Sequence, residues 1–193
     1  NTMPAPYYRF DGSDDYIEIA DTDHLSFGRT TYDTAFSAEA WINMEDASAF
    51  NIVGKGYAWG SYEWQFDVES DDKLMLEIVD ESTNANHYQK SDVAITAYEG
   101  KWIHVAATYD GRGGNSAEAG ITLYMNGSAI ASTAAASGTY TAMENAGHAV
   151  WIGRHSSAYA KGSISAVKIY NLELSTTEVK ELYSGASVPF KYK

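Results

Sequence analysis

Lys101-Trp102-Ile103-His104-Val105-Ala106-Ala107-Thr108-Tyr109-Asp110-Gly111, followed by Leu123-Tyr124-Met125-Asn126-Gly127, is the stretch that decides the fold. Side chains of an extended chain alternate between two faces. Trp102, His104, Ala106 and Thr108 therefore share one side, and Ile103, Val105, Ala107 and Tyr109 the other. Asp110-Gly111 turns the chain. Asn126-Gly127 then closes a second strand with a strong short-range hairpin signal.

Outward from this pair, strand-like runs recur roughly every ten residues with turn residues between them, the spacing of an all-β sandwich. They fall at 7–10, 16–19, 36–43, 51–55, 62–69, 73–79, 86–90, 102–109, 121–126, 128–133, 148–153 and 162–170. In 62–69, Trp64, Phe66 and Val68 form a core face. Glu63, Gln65, Asp67 and Glu69 form the other, which is expected to meet water or a ligand groove because unpaired polar groups are costly to bury. One helix is predicted, at 176–183. Ser175-Thr176-Thr177-Glu178 is a capping box, Leu174 and Val179 occupy the hydrophobic-staple positions, and Gly185 ends the turn. This helix is expected to close one open end of the sandwich.

The pairing of W-x-H-V-A-x-T-Y-D-G with L-Y-x-N-G resembles the laminin-G-like (concanavalin A-like lectin/glucanase) family. Arg9-Phe10-Asp11-Gly12-Ser13-Asp14-Asp15-Tyr16-Ile17 resembles that family's opening strand and turn. Ile152-Gly153-Arg154, Gly162-Ser163-Ile164-Ser165 and Ile169-Tyr170-Asn171 resemble its closing strands. The resemblance implies an antiparallel two-sheet jelly roll with one short C-terminal helix and covers nearly the whole chain; with no linker in the sequence, residues 1–193 are read as a single domain.

Composition narrows the function. The net charge of −13, from 26 acidic against 13 basic residues, opposes phosphate backbones and anionic membranes, so nucleic acid is excluded as a partner. No apolar run approaches the ~20 residues that span a bilayer, so membrane insertion is not expected. Cysteine is absent, which removes thiol chemistry and neither requires nor excludes export.

Catalytic patterns are missing. Glucanases of the resembled family carry E-x-D-x-E, or the same with one extra residue, on one strand. Here Glu63-x-x-x-Asp67-x-Glu69 has the right parity but Gln65 in place of an acid. Glu63 and Asp67 stand roughly 13 Å apart along a strand, too far to share one glycosidic bond. There is no Gly-x-Ser-x-Gly, phosphate loop or His-Glu-x-x-His. The chain is therefore read as non-catalytic. His104 falls where the family motif has histidine and is read as a packed strand residue.

An up-and-down meander through 51–90 places loops 56–61 and 80–85 at one end and the turn Ser70-Asp71-Asp72 at the other. Tyr57 and Trp59, flanked by glycines, are candidates for stacking on sugar rings. The alternative is that Trp59 folds over the rim as a packing plug. Asn84, His87 and Tyr88 supply polar neighbours, and Arg154, His155 and Tyr159 form a third aromatic and polar segment. Calcium is the cofactor the resemblance implies. Asp11, Asp14 and Asp15 offer three carboxylates in one turn, and Asp80, Glu81 and Asn84 are an alternative cluster. Ser165 stands where the family often has aspartate, a departure from its usual calcium site.

The leading reading is a non-catalytic carbohydrate-binding or adhesive module of a larger extracellular or surface protein, assisted by calcium. Its partners would be a glycan or polysaccharide and other domains of the same polypeptide. The alternatives are a divergent polysaccharide hydrolase or lyase using Asp67 and Glu69, and a structural protein–protein interaction domain.

Overall fold

A computed structural model of the chain describes residues 6–58 and 61–185; the side chains of 57, 58 and 61 lie outside that description. Its first strands are β1 (Tyr7–Asp11), β2 (Ile17–Ile19), β3 (Phe36–Met44), β4 (Phe50–Ala58) and β5 (Ser61–Val68). Next come β6 (Leu74–Asp80), β7 (Ala85–Ser91), β8 (Ile103–Tyr109), β9 (Ile121–Met125) and β10 (Ser128–Ala129). The last are β11 (Ser132–Ser137), β12 (Val150–Ile152), β13 (Arg154–His155), β14 (Ala158–Tyr159) and β15 (Lys161–Tyr170), followed by helix α1 (Thr176–Ser184).

Six strands pair antiparallel in the order β1-β15-β3-β8-β9-β10, and seven in the order β11-β7-β6-β5-β4-β12-β2. These are the two sheets of the expected sandwich. The predicted run 128–133 divides between them, β10 on one sheet and β11 on the other. The β9–β10 turn carries φ of 50° at Asn126 and 75° at Gly127, the two positive values that a tight primed hairpin turn requires.

Between the sheets lie Phe10, Phe36, Trp64, Phe66, Val105, Leu123 and their neighbours, all buried. Phe27 stacks on Phe36 with centroids 4.4 Å apart, and Trp64 leans on Phe36 at 5.4 Å. At the end of this core a buried carboxylate joins three segments. Asp33 accepts hydrogen bonds from Tyr109 Oη (2.7 Å), Tyr140 Oη (2.8 Å) and the Met143 amide (2.8 Å).

Every residue of β8 is buried, so both faces of the deciding strand are covered. Ile103, Val105, Ala107 and Tyr109 face the other sheet. The opposite side is covered by α1, whose Val179 packs with Leu174, Ala106 and Tyr124, while Tyr183 stacks on Trp41 at 5.8 Å. The helix thus lies across the outer face of the six-stranded sheet and does not close an end of the sandwich. A strand with apolar residues on both sides demands that second cover. The capping box is formed as expected, with Glu178 N donating to Ser175 Oγ and Ser175 N to Glu178 Oε2. His104 is 1% exposed and its Nε2 lies 2.8 Å from Glu39, which also accepts from Lys168 and Tyr170.

Candidate functional site

Strand register fixes what the outer face of the seven-stranded sheet presents. One row crosses all seven strands: Glu18, Trp151, Gly54, Gln65, Glu77, Tyr88 and Ala135. Opposed residues in an antiparallel pair share a face, so polar and aromatic groups run from one edge of the sheet to the other. Gly54 puts no side chain between Trp151 and Gln65.

The middle of this face is not wet, contrary to the expectation for β5. Glu63, Gln65 and Asp67 are 0%, 4% and 3% exposed. Each has a polar partner, while Glu63 Oε2 and Asp67 Oδ1 have none among the described residues. Gln65 Nε2 donates to Asp67 Oδ2 and to Asn51 Oδ1, and Glu77 accepts from Tyr62 Oη and Asn86 Nδ2, both at 2.5 Å. A register shift between β4 and β5 at Lys55 and Gly56 makes Glu63 the extra residue of a bulge. Its Oε1 accepts from Ser26 Oγ and the Ala146 amide and lies 3.7 Å from Lys55, itself fully buried and bonded to Asp21. Burial pushes Asp67 well above the usual carboxylate range, and Glu69 and Glu77 add to the rise. Asp67 and Glu69 are the pair a hydrolase on this face would use. The first is shut away from solvent and engaged by Gln65.

The hairpin β13–β14 lies over this ground. Asn51 Nδ2 donates to Ala158 O at 3.2 Å, and the His155 ring meets Tyr62 edge-on at 5.0 Å. Burial lowers the His155 pKa to about 4, so the ring is neutral at physiological pH.

At the end of that hairpin three rings converge on one cation. The Arg154 guanidinium carbon sits 4.2 Å from the Trp151 ring centroid, 4.8 Å from Tyr16 and 5.1 Å from Tyr159. Trp151 is held in the sheet and donates from Nε1 to Glu18 Oε2 at 3.2 Å. Tyr16, in the turn after β1, is 41% exposed and leans on both Trp151 and Tyr159. Arg154 and Tyr159 were expected in a site, whereas Trp151 and Tyr16 were not. They come from segments far apart in the chain, and no local periodicity joins them.

The chain belongs to a known superfamily. A family model described as the concanavalin A-like lectin/glucanases superfamily matches residues 11–180. No curated protein matches. Among solved structures, the concanavalin A-like chain resembles the binding domain of botulinum neurotoxin serotype G, with TM-score 0.68 and 16% identity over 95% of this chain and 44% of that one. It also resembles the serotype D ligand-binding domain in complex with N-acetylneuraminic acid, with TM-score 0.67 and 15% identity over 96% and 43%. A heptameric pentraxin from Limulus polyphemus matches at TM-score 0.51 and 19% identity over 87% and 81%. At these identities the likeness is one of fold, and the chain spans less than half the length of the toxin domains.

On this superfamily scaffold the remaining candidates are dispersed. Strands β4 to β7 form the expected meander, which sets the β4–β5 and β6–β7 connections at one end. Residues 56–61 are mostly strand, because β4 continues to Ala58 and β5 starts at Ser61. Trp59 and the Tyr57 side chain lie outside the described residues. Asn84 is an exposed turn residue with φ of 54°. His87 faces the core, 1% exposed, with Nδ1 2.6 Å from Glu118 Oε2 and its ring on Tyr140. Tyr88 lies far along the row from Trp151 and lines a cavity of about 430 Å³ with Lys73, Lys90 and Thr133.

Asp11, Asp14 and Asp15 are exposed, with one oxygen of each inside a 4.8 Å cluster. Asp11 Oδ1 accepts from the Ser13 and Asp14 amides and Asp15 Oδ2 from the Asp11 amide. Hard oxygen donors of this kind fit calcium. Of the alternative cluster, Asp80 is spent on Ser82, Thr83 and Thr141 and Glu81 on His148.

Proposed function

We propose that this chain is a non-catalytic module that binds a carbohydrate receptor, working outside the cell or on a surface as part of a larger polypeptide. The observation that carries the reading is the corner formed by Tyr16, Trp151 and Tyr159 around Arg154. Exposed tyrosine rings stack on the apolar faces of sugars and keep their own hydroxyls available for hydrogen bonds. The arrangement joins a rigid edge of the sheet to a hairpin, so the platform is set before a ligand arrives. Binding domains among the similar structures support the reading at the level of fold. Tyr57 and Trp59 enter it on sequence alone, as do Asn84 and Tyr88 as outlying contacts. His155 acts from beneath, as the neutral packing of the hairpin. No helix among the described residues is long and apolar enough to cross a membrane.

Calcium is proposed at Asp11, Asp14 and Asp15, in the turn that leads directly to Tyr16. An ion there would brace the turn that carries the most exposed ring of the corner.

A glycan array probed with the domain in calcium and again in EDTA tests the proposal. Binding that falls when Tyr16 is replaced by alanine supports it. An empty array in both conditions, with the protein folded, overturns it.

A further inference from the structure

Arg154 is placed unusually for this chain. Acidic residues outnumber basic ones 26 to 13, yet among the described residues no carboxylate pairs with this guanidinium. Glu18, which faces Trp151 across the β2–β12 pair, accepts from the Trp151 indole with its Oε2 at 3.2 Å. What fixes Arg154 is three ring faces at 4.2 to 5.1 Å and one hydrogen bond, from Nε to Ser156 O at 3.0 Å. Ser156 is the left-handed residue of the β13–β14 turn, with φ of 54°, so the short loop itself sets where that carbonyl stands.

This leaves one edge of a planar fork in use and the Nη groups with no acceptor among the described residues. An arginine free in solvent loses side-chain entropy when it grips a ligand. Here the rings have already immobilised it. The arrangement is suited to a planar anion that takes two parallel N–H···O bonds. Beside the fork stands the Tyr16 ring, 41% exposed. The ligand that satisfies both is a carboxylate attached to a pyranose ring.

We propose that the corner recognises an acidic sugar, a uronic or sialic acid, whose carboxylate docks on the Nη groups of Arg154 while its ring stacks on Tyr16. The proposal rests on the carbohydrate-binding reading above and names the ligand class of that site. The excess of negative charge elsewhere makes the match selective. A polyanion is repelled by the surface as a whole, whereas one carboxylate at the end of a glycan meets the unpaired cation.

The test uses immobilised neutral oligosaccharides capped by a single galacturonic, glucuronic or sialic acid, each beside its carboxyl-reduced counterpart, with the intact domain as the analyte. At least one carboxylated probe binds the wild type about tenfold or more tighter than its reduced form, the scale of a lost charge-assisted hydrogen bond. Arg154→Gln removes that preference. Arg154→Lys restores little of it, because a point charge does not reproduce the fork. Tyr16→Ala weakens carboxylated and neutral probes alike. Equal binding of carboxylated and reduced probes by the wild type overturns the acidic-sugar proposal and leaves the glycan-binding reading standing. No binding to any probe overturns the acidic-sugar proposal, whereas the glycan-binding reading falls only with an empty array. If Arg154→Gln melts early, the comparison of wild type on paired probes decides alone.

Discussion

The side-chain amide of Gln65 donates to Asp67, two residues further along the same face of β5, and so lets a carboxyl group lie buried at 3% exposure. Burial, with Glu69 and Glu77 near, raises the Asp67 pKa well above its ordinary value of 3.8. A raised carboxyl contributes stability that is present below the unfolded pKa and is lost as pH rises through the folded one.

Asp67→Asn keeps an acceptor for Gln65 and removes the group that must take up a proton. The variant is expected to match the wild type near pH 4 and to exceed it in stability near pH 8, read from urea midpoints at the two pH values. Gln65→Ala strips a donor from both Asp67 and Asn51 and is expected to cost about 1–3 kcal/mol. An Asp67→Asn protein that is markedly weaker at pH 8 would mean that the native group is ionised and paired.

Glu63 gives a second pH test at the other end of β5. Burial raises it to about 7 against an ordinary 4.5, with Lys55 pulling the other way. Its contribution is complete below about 4.5 and disappears as pH climbs through about 7, in the sense required for a raised acid. Melting temperature should therefore fall between pH 5 and 7.5, and Glu63→Gln should flatten that fall. A slope unchanged in the variant would assign it to other buried acids.

The fold was legible where local pattern and burial agree. The alternation from Trp102 to Tyr109, the turn at Asn126-Gly127 and the box from Ser175 to Glu178 each state a geometry that the structure keeps. Alternation assigns residues to faces, but it does not say what covers a face. Gln65 and Asp67 were expected to meet water or a ligand groove, because the hairpin of Arg154 to Tyr159, which meets Asn51 and Tyr62 on the same face, arrives some ninety residues later. The bulge at Glu63 has no marker in the strand itself. Arg154 and Tyr159 were visible as an aromatic and polar segment, whereas Trp151 read as a strand residue and Tyr16 as part of an acidic turn. Only strand pairing joins Ile17–Ile19 to Val150–Ile152 and brings these four together.

If Asp11, Asp14 and Asp15 hold calcium, saturating the ion should stabilise the domain by about 2.7 kcal/mol at a hundredfold excess over the dissociation constant. That corresponds to a rise of roughly 5–10 °C in melting temperature for a chain of this size. Asp14→Asn should abolish the rise. Superimposable melting curves in calcium and in EDTA would remove the site.

The central claim is that the rings around Arg154 bind sugar, and a titration of the Tyr16→Ala, Tyr159→Ala double variant tests it most directly. Against the tightest glycan found for the wild type, affinity is expected to fall by about 1–3 kcal/mol, the scale of losing an aromatic contact at a recognition site. The melting temperature should move by no more than a few degrees, since Tyr16 is 41% exposed and Trp151 stays in the sheet. Unchanged affinity in a folded double variant would contradict the account.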